Sequence, residues 1–123
     1  RDDTALAKRL AGALRFRTIS TQDPAQFDAA PFRALQQYLA ETFPAVHSEL
    51  QREIVNDYSL LYTWPGSDPS LKAVLLLAHQ DVVPVTPETE KDWSHPAFGG
   101  EIADGFVWGR GTLDDKSSLM AIL

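Results

Sequence analysis

Leu6, Leu10, Ala13 and Leu14 recur at the spacing of a helix with one apolar face. Thr4 or Asp3 stands where a side-chain oxygen can accept an unpaired N–H of the first turn. Residues 18–30 are polar and turn-rich, and a second helix is predicted to begin near Pro31, with Phe32, Leu35, Leu39 and Phe43 on one stripe and Pro44 ending it. From position 46 the period changes to two: Val46, Ser48, Leu50, Arg52 and Ile54 predict a strand. After Asn56-Asp57, residues 60–64 predict a second strand adjacent to it.

Past the turn Pro65-Gly66-Ser67-Asp68-Pro69, residues 71–78 are apolar on both faces, the pattern of a central, buried strand. Residues 85–100 form a connection too long to be idle and are expected to rim a site. Residues 102–108 predict a hairpin turning at Asp104-Gly105, and residues 117–123 begin a helix. Helices interleaved with strands predict an α/β fold, and no repeat or linker divides the chain.

Composition narrows the partners. A formal net charge of -6 and a pI near 4.9 argue against nucleic acid, whose phosphates would be repelled. The longest apolar run, residues 73–78, falls far short of the roughly 20 residues that span a bilayer, so no membrane span is expected. The charged start Arg1-Asp2-Asp3 is not a signal peptide. That start and the apolar end Ala121-Ile122-Leu123 lead us to expect a piece of a longer protein. With no cysteine, any zinc must be held by histidine and carboxylate groups.

Candidate chemistry concentrates in two segments. His79-Gln80-Asp81-Val82-Val83-Pro84 leaves the end of the apolar run, where open α/β sheets place their sites. The imidazole of His79 can bind a metal, and Asp81, two residues on, can hold the ring's orientation. By itself a His-x-Asp is more often a strand end followed by a turn. In Gly109-Arg110-Gly111-Thr112-Leu113-Asp114-Asp115-Lys116, the glycines permit tight backbone paths, and Asp114 or Asp115 is a candidate ligand. Taken alone, that segment also reads as an acidic helix start. One carboxylate can bridge two metal ions about 3.5 to 4 Å apart, an arrangement suited to amide hydrolysis.

These two segments, together with Trp93-Ser94-His95-Pro96-Ala97-Phe98 and Asp104-Gly105-Phe106-Val107-Trp108, resemble in order and spacing the aminoacylase and carboxypeptidase S family of zinc peptidases. Residues 56–64, Asn56-Asp57-Tyr58-Ser59-Leu60-Leu61-Tyr62-Thr63-Trp64, resemble above all its carboxypeptidase S and N-fatty-acyl amino acid synthase/hydrolase branch.

The resemblance implies that residues 1–123 are the N-terminal part of a di-zinc exopeptidase catalytic domain, helices packed on a mixed, largely parallel sheet. It implies two Zn2+ per active site, with His79 binding one, Asp114 bridging both, and Asp81 orienting His79 as the catalytic positioning group. Asp115 would not be a ligand, and the peptide joining it to Asp114 is commonly cis in the family. The substrate implied is a dipeptide or N-acyl amino acid with a free carboxylate, and a homodimer through a domain not in this chain is also implied.

Lys116-Ser117-Ser118 stands where the family often has Lys-Gly-Gly, a change that leaves the ligands untouched. The general base and remaining ligands would lie beyond Leu123, and zinc takes about four ligands, so the chain in isolation is expected to be inactive. A catalytically silent relative acting as a binding module is the alternative. A magnesium phosphoryl-transfer site at Asp114, Asp115 and Lys116 ranks lower, because no phosphate-cradling glycine loop is present.

Trp93, Phe98, Phe106 and Trp108 are candidates to line an apolar acyl pocket. His95 reads as structural and His47 as without a role. Arg110 is expected to pair with a carboxylate of the core or the substrate.

Overall fold

The computed structural model describes residues 3–123; Arg1 and Asp2, part of the charged start, lie outside the described residues. Helix α1 spans Asp3–Leu14 and buries Ala11, Ala13 and Leu14, while Leu6 stays partly exposed. Helix α2, Ala30–Thr42, buries Phe32, Leu35, Gln36 and Leu39, and Phe43 closes it by donating its N–H to the Leu39 carbonyl. The predicted stripe therefore faces the core. The two helices approach at Gly12, where the Tyr38 ring leaves no room for a Cβ and the Tyr38 hydroxyl donates to the Arg9 carbonyl at 2.8 Å. Ala13, Leu35, Leu39 and Phe43 form the core cluster, with Phe16, Val46, Leu60 and Leu119 packed against it.

The strand expected from position 46 begins later. Pro44–Glu49 forms helix α3, with Pro44 in its first turn. Proline is pre-organised for that position and lacks the N–H that a first turn leaves unpaired, so Pro44 starts a helix as well as following one. Val46 packs into the core from α3, which the period-two pattern does not anticipate. Strand β1, Gln51–Val55, pairs antiparallel with β2, Ser59–Thr63, in the register Gln51↔Thr63 to Val55↔Ser59. Asn56 and Asp57 turn the chain with φ of 49° and 67°, a conformation these two residue types tolerate.

The strand expected over residues 71–78 is corrected outright. No strand forms there, and Leu71, Val74, Leu75, Leu76 and Leu77 are exposed. A strand requires a neighbour for its N–H and C=O groups, and among the described residues none lies beside this run. Parallel pairing among the described residues is confined to the bridge Ile19↔Val82, where Val82 donates to Thr18 and accepts from Ser20. The named sheets are two antiparallel hairpins, so the described residues form a mixed α/β arrangement.

The expected rim loop contains a short helix, α4, Pro87–Glu90. The second hairpin matches its pattern: β3, Glu101–Ala103, and β4, Phe106–Trp108, join at Asp104 and Gly105, both with positive φ. Helix α5, Lys116–Ile122, follows the second glycine-rich segment. It packs on α1, which also contacts β3 and β4, so the helix near the N-terminus sits beneath both ends of the candidate site.

Candidate active site

The backbone end of α1 places the first segment. After Leu14 the chain runs alongside residues 80–82: Val82 N–H donates to the Thr18 carbonyl at 2.8 Å, and Ser20 N–H donates to the Val82 carbonyl at 3.0 Å. The fully buried Thr18 adds its hydroxyl, which donates to the Gln80 carbonyl at 2.6 Å. His79, Gln80 and Asp81 are thereby fixed against the segment that follows α1.

The second segment is brought to the first by a glycine. Gly111 has a φ of 90°, and a Cβ there would lie 2.7 Å from Val82 Cγ1. Gly111 accepts from the Lys116 N–H at 2.9 Å, closing the loop that carries Asp114 and Asp115. The Asp114-Asp115 peptide is cis. Lys116 is fully buried, and its ammonium donates to the carbonyls of Ala13 at 3.0 Å and Phe16 at 2.8 Å. Burial pushes this ammonium down from 10.5 to about 8, although two carbonyl acceptors favour its charged form.

His79 and Asp114, 35 positions apart, then meet: Nε2 lies 2.9 Å from Asp114 Oδ1. On the other side of the ring, Nδ1 lies 3.0 Å from the Asp81 carbonyl and 3.2 Å from Asp81 Oδ1. The hydrogen bond that the ring donates to Asp114 raises the imidazole pKa most; partial burial opposes it, and Asp81 adds to the rise. Asp115 sits differently, its Oδ2 accepting from the His79 backbone N–H at 3.4 Å.

An imidazole with one nitrogen engaged by an aspartate and the other aimed at a carboxylate has the donor set of a zinc site. Nitrogen and oxygen ligands each about 2.0–2.2 Å from one tetrahedral zinc stand roughly 3.4 Å apart, so the 2.9 Å pair would have to open by only about half an ångström to admit the ion. Asp114 is 89% exposed, which leaves most of its carboxylate open to further contacts. Among the described residues, no group of three or more histidine, cysteine or acidic side chains is poised around one point.

Comparison with known proteins bears directly on these two segments. Residues 75–123, which contain both, match the model of Peptidase family M20/M25/M40. The chain is 50% identical over 123 residues to probable carboxypeptidase S-like 2 of Dictyostelium discoideum, covering 98% of this chain and 23% of that protein. It is 52% identical over 92 residues to carboxypeptidase S of Saccharomyces cerevisiae, covering 73% of this chain and 16% of that one. The chain is a relative of the carboxypeptidase S peptidases. It is also 42% identical over 121 residues to the N-fatty-acyl-amino acid synthase/hydrolase of Homo sapiens, covering 97% of this chain and 23% of the human protein. The chain thus spans less than a quarter of the length of these relatives.

A cavity of about 580 Å³ opens beside the His79–Asp114 pair, walled by Val83, Trp93, Phe106, Trp108 and Leu113. Of the aromatics expected there, Phe98 is elsewhere, beneath the Arg17 guanidinium at 4.5 Å. Arg110 lines the cavity with its guanidinium 5.2 Å from the Trp93 ring centre; its buried Nε has no partner, and the expected carboxylate partner is not among the described residues. His95 is held by Glu101 at 2.6 Å and stacks on Trp108, a structural role. His47 contacts the Tyr62 hydroxyl and the Phe43 carbonyl, away from the site.

Sequence reasoning missed Thr18 and Lys116 as supports of the site. Their contacts reach across 62 and 103 positions, and no local pattern encodes such a partner.

Proposed function

We propose that the protein containing this chain is a zinc-dependent amidohydrolase that cleaves dipeptides or N-acyl amino acids carrying a free carboxylate. The observation that carries the reading is the 2.9 Å approach of His79 Nε2 to Asp114 Oδ1, with Asp81 on the opposite ring nitrogen. His79 would supply one zinc ligand, Asp114 would bridge two zinc ions, and Asp81 would hold the imidazole so that Nε2 faces the metal side. When bound, zinc supplies polarisation of the scissile carbonyl and an activated water at neutral pH.

The chain's own residues do the rest of what this segment contributes. With zinc bound, Asp81 would accept from the imidazole Nδ1–H and so leave Nε2 a lone pair for the metal. Asp114 offers an open carboxylate, and the wall of Trp93, Phe106 and Trp108 gives the acyl side of a substrate an apolar surface. The names of relatives in two groups, carboxypeptidase and N-fatty-acyl-amino acid hydrolase, support an amide with a free carboxylate as the substrate class. The same proposal includes a largely parallel sheet completed by the rest of the catalytic domain, and a homodimer formed through a domain outside this chain.

Metal analysis and chelation of the full-length protein test the reading. Two equivalents of zinc and chelator-sensitive cleavage of N-acyl amino acids are expected, with loss of cleavage when the substrate carboxylate is amidated. Full activity without metal overturns it, and zinc binding without cleavage identifies a binding module instead.

A further inference from the structure

Both halves of the site hang from one stretch of backbone, residues 13–20. The His79 half is tied there by the Thr18 hydroxyl on the Gln80 carbonyl and by the backbone exchange between Thr18, Ser20 and Val82. The Asp114 half is tied there by Lys116, whose ammonium reaches the carbonyls of Ala13 and Phe16. The Ala13 carbonyl, in the last turn of α1, otherwise accepts, among the described residues, only a long 3.4 Å bond from the Phe16 N–H, and the Phe16 carbonyl lies just past the helix, so the ammonium supplies donors to backbone that the helix itself serves poorly. The ammonium in turn requires them, since it is wholly buried and makes no ion pair with any described residue. The loop between is short and closed at its base by the Lys116 N–H on the Gly111 carbonyl. Asp114 therefore has little freedom to move relative to α1.

We propose that Lys116 is a positioning residue: its ammonium, with the Thr18 hydroxyl, uses the end of α1 and the segment that follows it, residues 13–20, as a common reference that sets the His79–Asp114 separation and hence the affinity of the site for zinc. The inference rests on the zinc reading above, and it adds a determinant of the site that touches neither metal nor substrate. Two segments anchored independently would each drift with their own surroundings. Anchored on the same eight residues, they keep a fixed spacing.

The test uses the full-length protein with Lys116→Met, which removes the charge and keeps most of the unbranched side chain, and Thr18→Val, which is nearly isosteric. Zinc affinity is measured by competition with a chelator. The ring nitrogens of His79 are followed by 15N NMR in the zinc-free protein, where loss of the Asp114 contact shifts Nε2. For Lys116→Met the zinc dissociation constant is expected to rise about 10- to 100-fold, the range for residues that orient ligands, and the Nε2 signal is expected to shift in a protein that still unfolds cooperatively. Thr18→Val is expected to weaken zinc several-fold, and the double variant to lose less than the product of the two single losses. Should Lys116→Met fail to fold, Thr18→Val carries the same two readouts. Folded variants with unchanged zinc affinity and an unchanged His79 spectrum overturn the proposal. A wild-type protein that binds no zinc overturns the hydrolase reading instead, and the His79 spectrum of the zinc-free variants still decides the positioning claim.

Discussion

Gly111 lies so close to Val82 that a Cβ on it would stand 2.7 Å from Val82 Cγ1. The contact joins the second segment of the site to the first, and it explains why a glycine is required at 111 twice over. The backbone φ of 90° is one that side chains rarely adopt, and the space is already filled.

Gly111→Ala therefore combines a backbone penalty with overpacking, each about 1–3 kcal/mol. Denaturant unfolding should show a loss of about 2–6 kcal/mol, and zinc binding should weaken in step. A change under about 1 kcal/mol would mean that the loop relaxes away from Val82 without consequence.

The core beneath the site predicts a second loss. Leu39 is fully buried in the cluster with Ala13, Leu35 and Phe43. Leu39→Ala removes methyl groups that nothing can replace without rearranging α1 and α2, and the expected destabilisation is about 2–5 kcal/mol. Leu113 is 89% exposed, so Leu113→Ala should change stability by less than about 0.5 kcal/mol. Urea denaturation of the two variants provides the comparison.

Stability should also rise between pH 8 and pH 10.5 through Lys116. Its folded pKa is about 8, depressed by burial from 10.5, so in this window the unfolded chain binds a proton that the folded chain has released. Unfolding then becomes harder as pH increases, by up to about 3 kcal/mol across the window, while below pH 8 both states are charged and the contribution is constant. Lys116→Met should remove this slope. An identical pH profile for wild type and variant between pH 8 and 10.5 would contradict the assignment.

What the sequence made legible was local. Helices α1, α2 and α5 follow from apolar positions three and four apart, and the 101–108 hairpin from Asp104-Gly105, because each signal involves neighbours along the chain. The meeting of His79 with Asp114 came within reach only through the resemblance of the two segments to a zinc peptidase family; the residues themselves left Asp114 and Asp115 open. Helix α3 was not legible: Val46, Ser48 and Leu50 alternate like a strand, yet Pro44 nucleates a helical turn and the core takes up Val46. Residues 71–78 read as a buried strand because their composition is right for one, but a strand is made by its neighbour, and composition names no neighbour. In the sequence Lys116 read only as part of a lower-ranked phosphoryl-transfer site; the folded chain brings it to carbonyls 100 and 103 positions away.

The cavity beside the His79–Asp114 pair predicts how rate depends on acyl length. Val83, Trp93, Phe106, Trp108 and Leu113 form a largely apolar wall, and Phe106 and Leu113 expose much of their surface in this chain. Each substrate methylene buried against such a wall gains about 0.8 kcal/mol, close to a fourfold increase in kcat/KM per carbon until the wall is covered. The full-length protein should therefore cleave long N-acyl amino acids faster than N-acetyl ones. Phe106→Ala should flatten that dependence while leaving zinc content unchanged, because Phe106 contacts Trp108 and not the ligand pair. Equal kcat/KM for short and long acyl chains in the wild type would show that the aromatic wall packs against protein and not against substrate.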